Sequence, residues 1–403
     1  MEFEVSAILL YLAVFLIAAR VGGALSLKLG QPEVFGELIA GILIGPSVAG
    51  AISQSILGFS LCVVPGTPAG QFMSLLGEIG IIMLMFIAGL SIEVEEFRRA
   101  GRPSTVVAAS GVVVAFLLGF GAASFFGWTT LEAGFAGGVL VATSVGITVR
   151  TLMELHVLHT KVGLTILAAA VIDDVLGIII LSVLSGMAFG GISFMGMAEV
   201  IALMVVFFLA VILLGFRIVP RVLSYASRFA ADEIVLSVAL AIVFVISAMA
   251  EKVRIAAITG AFLVGLITSR SQFADSIRGK VATVGYGLLI PLFFVNMGVE
   301  TDLQALGAVS VLAVVFLAIA MFSKIAGCGL GALLSGFGVK DSLRVGVGMM
   351  PRAEVALIMA SIGVKAGVVG QSLLSMTVMV VLLTSLVTPV LVKIAFKGAE
   401  REK

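Results

Sequence analysis

Charge is scarce in this chain. Of its 403 residues only 12% are Asp, Glu, Lys or Arg, against 61% hydrophobic, and the mean hydropathy is +1.27. A soluble globular domain carries about a quarter charged residues, so that class is excluded. The net charge of +1 argues against a nucleic-acid partner. Cysteine is nearly absent: Cys62 and Cys328 lie far apart with no ligand spacing around them, which indicates neither a disulfide framework nor a zinc site. The two histidines, His156 and His159, share one polar connector. The first residues, MEFEVS, are acidic and no small-residue cleavage site follows. The first hydrophobic run is therefore expected to be a retained helix rather than a cleaved signal peptide.

Long apolar runs fill the chain instead. A spanning helix needs roughly 20 apolar residues, and on that measure hydropathy predicts about 13 transmembrane helices in an all-α polytopic membrane protein, with the lipid bilayer as its surroundings. The approximate limits are 5–20, 33–49, 70–91, 104–126, 132–153, 160–187, 194–222, 232–250, 255–269, 280–299, 304–335, 342–364 and 370–396. An odd number of spans puts the termini on opposite sides. The connectors after the odd-numbered spans and the C-terminal tail hold the basic residues, among them Lys28, Arg98, Arg99, Arg102, Arg217 and Arg228. The other side holds only Lys252, Arg254 and Lys365, and 45–71 contains no Lys or Arg. Lys and Arg accumulate in cytoplasmic connectors, which predicts the N-terminus outside and the C-terminus in the cytoplasm.

Three basic residues fall within spans: Arg150, Lys324 and Arg352. Arg150 is near a helix end, where snorkelling to the surface accounts for it. Lys324 cannot easily reach either surface, and an intramembrane lysine normally has an anionic partner. The candidates are Asp173 and Asp174, adjacent in the apolar stretch LTILAAAVIDDVLGIIILSVL. Each mid-membrane carboxylate is unfavourable by about 2.5–3.5 kcal/mol on insertion scales. Neighbours on a helix point about 100° apart, so one can coordinate a cation while the other faces an adjacent helix such as the one bearing Lys324. Carboxylate oxygen suits hard cations such as sodium, and a buried carboxylate tends to hold either a cation or a proton. That competition is already an exchange mechanism, given alternate exposure to the two sides.

Two other spans carry polar interruptions. Span five reads GGVLVATSVGITVRTL, with Thr143, Ser144, Gly146 and Thr148. Span twelve reads GVGMMPRAEVALIMASIG, with Pro351 beside Arg352 and Glu354. Proline removes a helix hydrogen bond, and freed backbone groups at membrane depth survive only inside protein or a watery cavity. Thr143 and Arg352 are 209 positions apart, as are Gly89 and Gly298. Spans one to six and eight to thirteen would then be two inverted six-helix repeats joined by span seven, and matching interruptions in two such halves point to a transporter's binding site.

The segments VIDDVLG (171–177), VATSVGITVRTL (141–152), FSKIAG (322–327) and GMMPRAEVAL (348–357), supported by PEVFGELIAGILIGP (32–46) and EIGIIMLMFIAGLSIE (78–93), resemble the membrane domain of bacterial sodium/proton antiporters of the cation:proton antiporter-2 family. The resemblance covers nearly the whole chain. It implies one exchanger domain over 1–396, with a dimerisation part (about 1–99 and 230–302), a core part (about 103–190 and 303–396) holding two crossed, broken helices, a linker helix (about 194–222) and a short cytoplasmic tail (397–403). It further implies a homodimer in the cell's inner membrane acting in pH homeostasis, no cofactor and no enzymatic reaction. By the same resemblance Asp174 is the principal ion-binding carboxylate, Asp173 pairs with Lys324 when no ion is bound, Thr143 and Ser144 offer oxygen ligands, and Arg352 and Glu354 stabilise the core. The transported species would be protons and sodium, with lithium or potassium as alternatives. Asp173 at the first acidic position favours the electrogenic subgroup, with two protons per cation. A sodium-coupled organic-anion symporter fits less well because it has no evident need of Lys324. An intramembrane aspartyl protease needs two facing carboxylates sharing a proton, and adjacent residues on one helix diverge.

Overall fold

The computed structural model describes residues 5–50, 62, 64–189, 194–229, 233–301, 311–352 and 354–398. Among these residues every regular element is helical. In chain order they are α1 (Val5–Lys28), α2 (Glu33–Ile44, followed by a π-turn at Pro46–Gly50), α3 (Pro68–Leu90), α4 (Val94–Phe125), α5 (Thr130–Val139), α6 (Val145–Glu154), α7 (Lys161–Ala188), α8 (Phe194–Ala226), α9 (Ile234–Lys252), α10 (Ala257–Thr268), α11 (Ala274–Val284), α12 (Ile290–Val299, entered through a π-turn at Gly285–Leu289), α13 (Val311–Leu334), α14 (Val339–Gly348), α15 (Glu354–Lys365) and α16 (Gln371–Phe396). Ten helical segments among the described residues are long and apolar enough to cross a membrane. The short apolar α10 and the interrupted pairs α5–α6 and α14–α15 lie where spans were expected at 255–269, 132–153 and 342–364.

Local sequence sets several helix starts. Thr67 accepts the Gly70 backbone N–H ahead of Pro68 at the first helical position, and Thr160 does the same for Gly163 at the start of α7. Thr129 and Glu132 form a reciprocal capping box at α5. Each such cap contributes about 1 kcal/mol. Helix α4 differs from the sequence expectation. It begins at Val94 rather than near 104, so Arg98, Arg99 and Arg102 are helical rather than in a connector. Its 32 residues make a rod of about 48 Å at 1.5 Å per residue, against an apolar layer of about 30 Å. The charged first turns therefore project beyond the apolar layer.

Helices α1, α2, α3, α9, α10 and α12 pack on one another, and so do α4, α5, α7, α13, α14 and α15. α6 and α16 touch both sets, and α8 packs on α9 and α10 with a smaller contact to α7. On α1 and α8, large apolar side chains such as Leu9, Leu10, Ile17, Leu209 and Leu213 are exposed, which a lipid surround tolerates and water does not.

Within the first set the helices meet backbone to backbone at glycines. A Cβ added at Gly298 of α12 would lie 2.8 Å from the Gly41 Cα of α2, and one at Gly89 of α3 would lie 2.9 Å from the Gly265 Cα of α10. Apolar helices gain nothing by hiding from lipid tails, so close van der Waals approach between small residues holds them together. Gly298→Val should therefore cost about 1–3 kcal/mol through forced separation of α2 and α12. Gly279→Ala, where the added methyl meets open space, should leave the melting temperature in detergent unchanged or slightly higher.

Candidate cation and proton site

The two interrupted helices meet at their breaks. Helix α5 ends at Val139 and α6 starts at Val145; α14 ends at Gly348 and α15 starts at Glu354. Helix ends expose unpaired backbone groups, and here each break supplies partners for the other. The Ser144 backbone N–H donates to the Pro351 carbonyl at 2.7 Å. The Thr148 hydroxyl donates to the Gly348 carbonyl at 2.6 Å and the Thr143 hydroxyl to the Met349 carbonyl at 3.3 Å. Pro351 disfavours a helical conformation at the residue before it, which ends α14 where these carbonyls are needed. A hydroxyl that donates once still has lone pairs to offer, so Thr143 keeps its capacity as an oxygen ligand.

Arg352 lies at the same crossing and is fully buried. Its guanidinium Nη2 donates to the Ala320 carbonyl at 2.8 Å and to the Ser323 hydroxyl at 3.5 Å, and Nη1 to the Ala142 carbonyl at 3.4 Å. Its backbone N–H donates to the Thr384 hydroxyl at 3.1 Å. One side chain and its peptide thus tie α13, the α5–α6 break and α16 together. Glu354 opens α15, and its side chain lies outside what the structure describes.

Asp173 and Asp174 sit near the middle of α7, 0% and 4% exposed. The Lys324 ammonium of α13, also fully buried, stands 2.5 Å from Asp173 Oδ1. Asp173 is thus the carboxylate that takes the lysine, and Asp174 leaves the helix about 100° away. Gly111 of α4 makes room for Cys328 beside the lysine. A methyl there would fall 3.7 Å from the Lys324 Nζ and overlap the Cys328 sulfur one turn further along α13.

Arg150 overturns the snorkelling expectation. It is 4% exposed, and its guanidinium is shared between Glu33 Oε2 (2.9 Å) and Glu154 Oε1 (2.8 Å), 4.7 Å above the Tyr286 ring. Glu33 and Glu37 have no role assigned from the sequence; two acidic residues at the start of a short apolar span are the available signal. At the other end of α2 a cavity of about 180 Å³ opens between α2, α3, α12, α15 and α16. Glu78 and Glu300 line it, with Glu300 Oε1 accepting from Ser74 (3.0 Å) and Asn296 (2.7 Å). Neither Asp173 nor Asp174 is among its lining residues.

Gly111→Ala should displace Cys328 and with it the lysine-bearing face of α13. We expect a loss of about 1–3 kcal/mol in stability, read by thermal unfolding in detergent. Gly111→Ala combined with Cys328→Ala should restore much of it, because the obstructing sulfur is then gone.

The sodium/hydrogen exchanger (transmembrane) family profile matches residues 13–398. The Na(+)/H(+)-K(+) antiporter GerN of Bacillus cereus is 35% identical over 401 residues, covering all of this chain and 98% of the relative. The high-affinity Na(+)/H(+) antiporter NhaS3 of Synechocystis is 31% identical over 98% of this chain and 91% of its own length. The sodium proton antiporter MjNhaP1 of Methanocaldococcus jannaschii, solved at pH 8, superposes over 100% of this chain and 99% of its own with a TM-score of 0.61 at 17% identity, a likeness of fold alone. With the match running over nearly its whole length, this chain belongs to the transmembrane sodium/hydrogen exchanger family.

Proposed function

We propose that this protein is a secondary active antiporter that exchanges protons for monovalent cations, sodium first and potassium or lithium as alternatives, through Asp174 and the Asp173–Lys324 pair. The observation that carries the reading is the fully buried Lys324–Asp173 ion pair next to a second buried carboxylate. Two carboxyls and one ammonium can exchange bound protons for a cation without any covalent chemistry. The printed names of GerN and NhaS3 support sodium and protons as substrates, and that of GerN also supports potassium.

In this reading Asp174 holds the cation, with Thr143 and Ser144 as further oxygen donors, while Arg352 and Glu354 hold the core around it. Helices α1–α7 and α9–α16 form two inverted repeats of six spans each, with α8 as the linker, so the crossed breaks fall in matching places. Residues 1–99 and 230–302 form a dimerisation scaffold and 103–190 and 303–396 a mobile core. The separate packing of these helix sets supports that division. The protein works as a homodimer in the inner membrane, N-terminus outside, contributing to pH homeostasis.

Asp174→Asn keeps size and hydrogen bonding but cannot carry negative charge or exchange a proton. In proteoliposomes with an imposed pH gradient, its sodium-driven proton release should fall to the level of protein-free vesicles while the protein remains folded. Near-normal exchange would overturn the assignment of Asp174 as carrier.

Stoichiometry gives a second test. If one sodium displaces protons from both Asp174 and the Asp173–Lys324 pair, one net charge moves per cycle. A potential of 100 mV supplies about 2.3 kcal/mol per charge, which at 1.36 kcal/mol per tenfold sustains a sodium gradient about 50-fold steeper than neutral exchange would. Sodium flux in vesicles should therefore respond to a valinomycin-imposed potassium potential, and Lys324→Met should abolish the response or the flux. Wild-type flux indifferent to the potential would exclude the two-proton mechanism while leaving antiport itself intact.

A further inference from the structure

A second cluster of ionisable groups, with Glu37 and Arg150 buried at its centre, lies where α2, α6 and the turn before α12 come together. Glu33 and Glu37 are one turn apart on α2; Arg150 and Glu154 are one turn apart on α6. Arg150 is bound to Glu33 and Glu154, and Glu154 Oε2 also accepts the Glu33 backbone N–H at 2.9 Å. Glu37 is 1% exposed, and its Oε2 has no hydrogen-bond partner among the described residues. The charged groups that face Glu37 are Arg20 from α1, Glu33 from its own helix, and Arg150 and Glu154 from α6. Tyr286 adds its ring beneath Arg150. Helix α12 brings no titratable side chain, and the one on α16, Lys393, is engaged by the Gly30 carbonyl.

The charges do not balance if all are ionised. Arg20 and Arg150 oppose three carboxyls, Glu33, Glu37 and Glu154. Glu33 and Glu154 each touch the Arg150 guanidinium. Glu37 is left with a buried oxygen that nothing answers, an arrangement strongly unfavourable for a carboxylate and tolerable for a neutral carboxyl. Protonation of this one group makes the cluster neutral.

We propose that Glu37 is a second proton-binding site, separate from Asp173, Asp174 and Lys324, and that its proton sets how Arg150 clamps α2 to α6. With the proton bound, Arg150 is divided between Glu33 of α2 and Glu154 of α6. When the proton leaves, a second α2 carboxylate competes for the guanidinium and repels Glu154. The clamp therefore rearranges at the contact between the helix set of α1–α3 and the broken helix that reaches the ion site. The basic residues of the flanking connectors place this cluster at the cytoplasmic end, so the proton it senses is the cytoplasmic one. The existence of the site does not depend on the exchanger reading, whereas its effect on transport does.

The test uses the full-length protein carrying Asp173→Asn and Asp174→Asn, which silences the carboxyls of the first site. An infrared difference spectrum across a pH jump should retain a protonated-carboxyl band. Adding Glu37→Gln should remove that band, and adding Glu37→Asp should keep it with a shifted position. A band unchanged by Glu37→Gln, or no band in the double-Asn protein, overturns the proposal. In the otherwise native protein, Glu37→Gln should move the pH of half-maximal exchange by about one unit, a tenfold change in proton concentration. Glu37→Asp should restore the wild-type profile. Identical pH profiles for all three proteins would show that the clamp is not coupled to transport.

Discussion

At membrane depth a backbone group that leaves a helix must find its partner within the protein, because lipid offers none. The fold is arranged around this constraint at one place, the crossing of the two interrupted helices. Each break would be untenable alone. Together, the Ser144 N–H, the Thr143 and Thr148 hydroxyls and the carbonyls of Gly348, Met349 and Pro351 satisfy one another. Arg352 then takes up the Ala142 and Ala320 carbonyls around them. The result is a polar centre, supplied with most of its hydrogen bonds from within, inside an apolar body.

The charges obey a related rule. A buried ion pair rarely adds net stability over a well-packed apolar pair, but loss of one partner is costly by about 3–5 kcal/mol. Among the described residues the chain nevertheless buries Lys324 on Asp173, Arg150 between Glu33 and Glu154, and Arg352 among carbonyls and a hydroxyl. The first joins α7 to α13, both in the same packing set. The second joins α6, which touches both sets, to α2 of the first set. Paired buried charge thus stands within one set at α7–α13 and at the contact of α6 with α2, while the α2–α12 and α3–α10 contacts rest on glycine.

Much of this was legible in the sequence, for identifiable reasons. Spans are readable because bilayer thickness imposes a length, and the breaks because Pro351 and the Thr143–Ser144 pair interrupt apolar runs. Lys324 announced a partner because nothing local could solvate it. What could not be read depended on distant neighbours. Arg150 reads as a surface-seeking arginine because Glu154, one turn on, could accompany it to the surface, while the Glu33 that helps to hold it inside is 117 positions away. The start of α4 was placed late because charges at Arg98, Arg99 and Arg102 suggest a connector, although a helix can continue past the bilayer boundary. Glu37 looked like one polar residue in a motif, and only packing reveals an oxygen without a partner.

The crossing also bears on how the chain is made. The hydrogen bonds that close the first break come from residues 200 and 206 positions later. At about 5–20 residues per second of synthesis, the α5–α6 break is in existence for roughly 10–40 s before α14 arrives. During that interval its polar groups depend on water, on translocation machinery or on temporary helical continuity through residues 140–144. Biogenesis therefore contains an obligatory waiting state, and the first half of the protein becomes a finished membrane structure only when the second half is inserted.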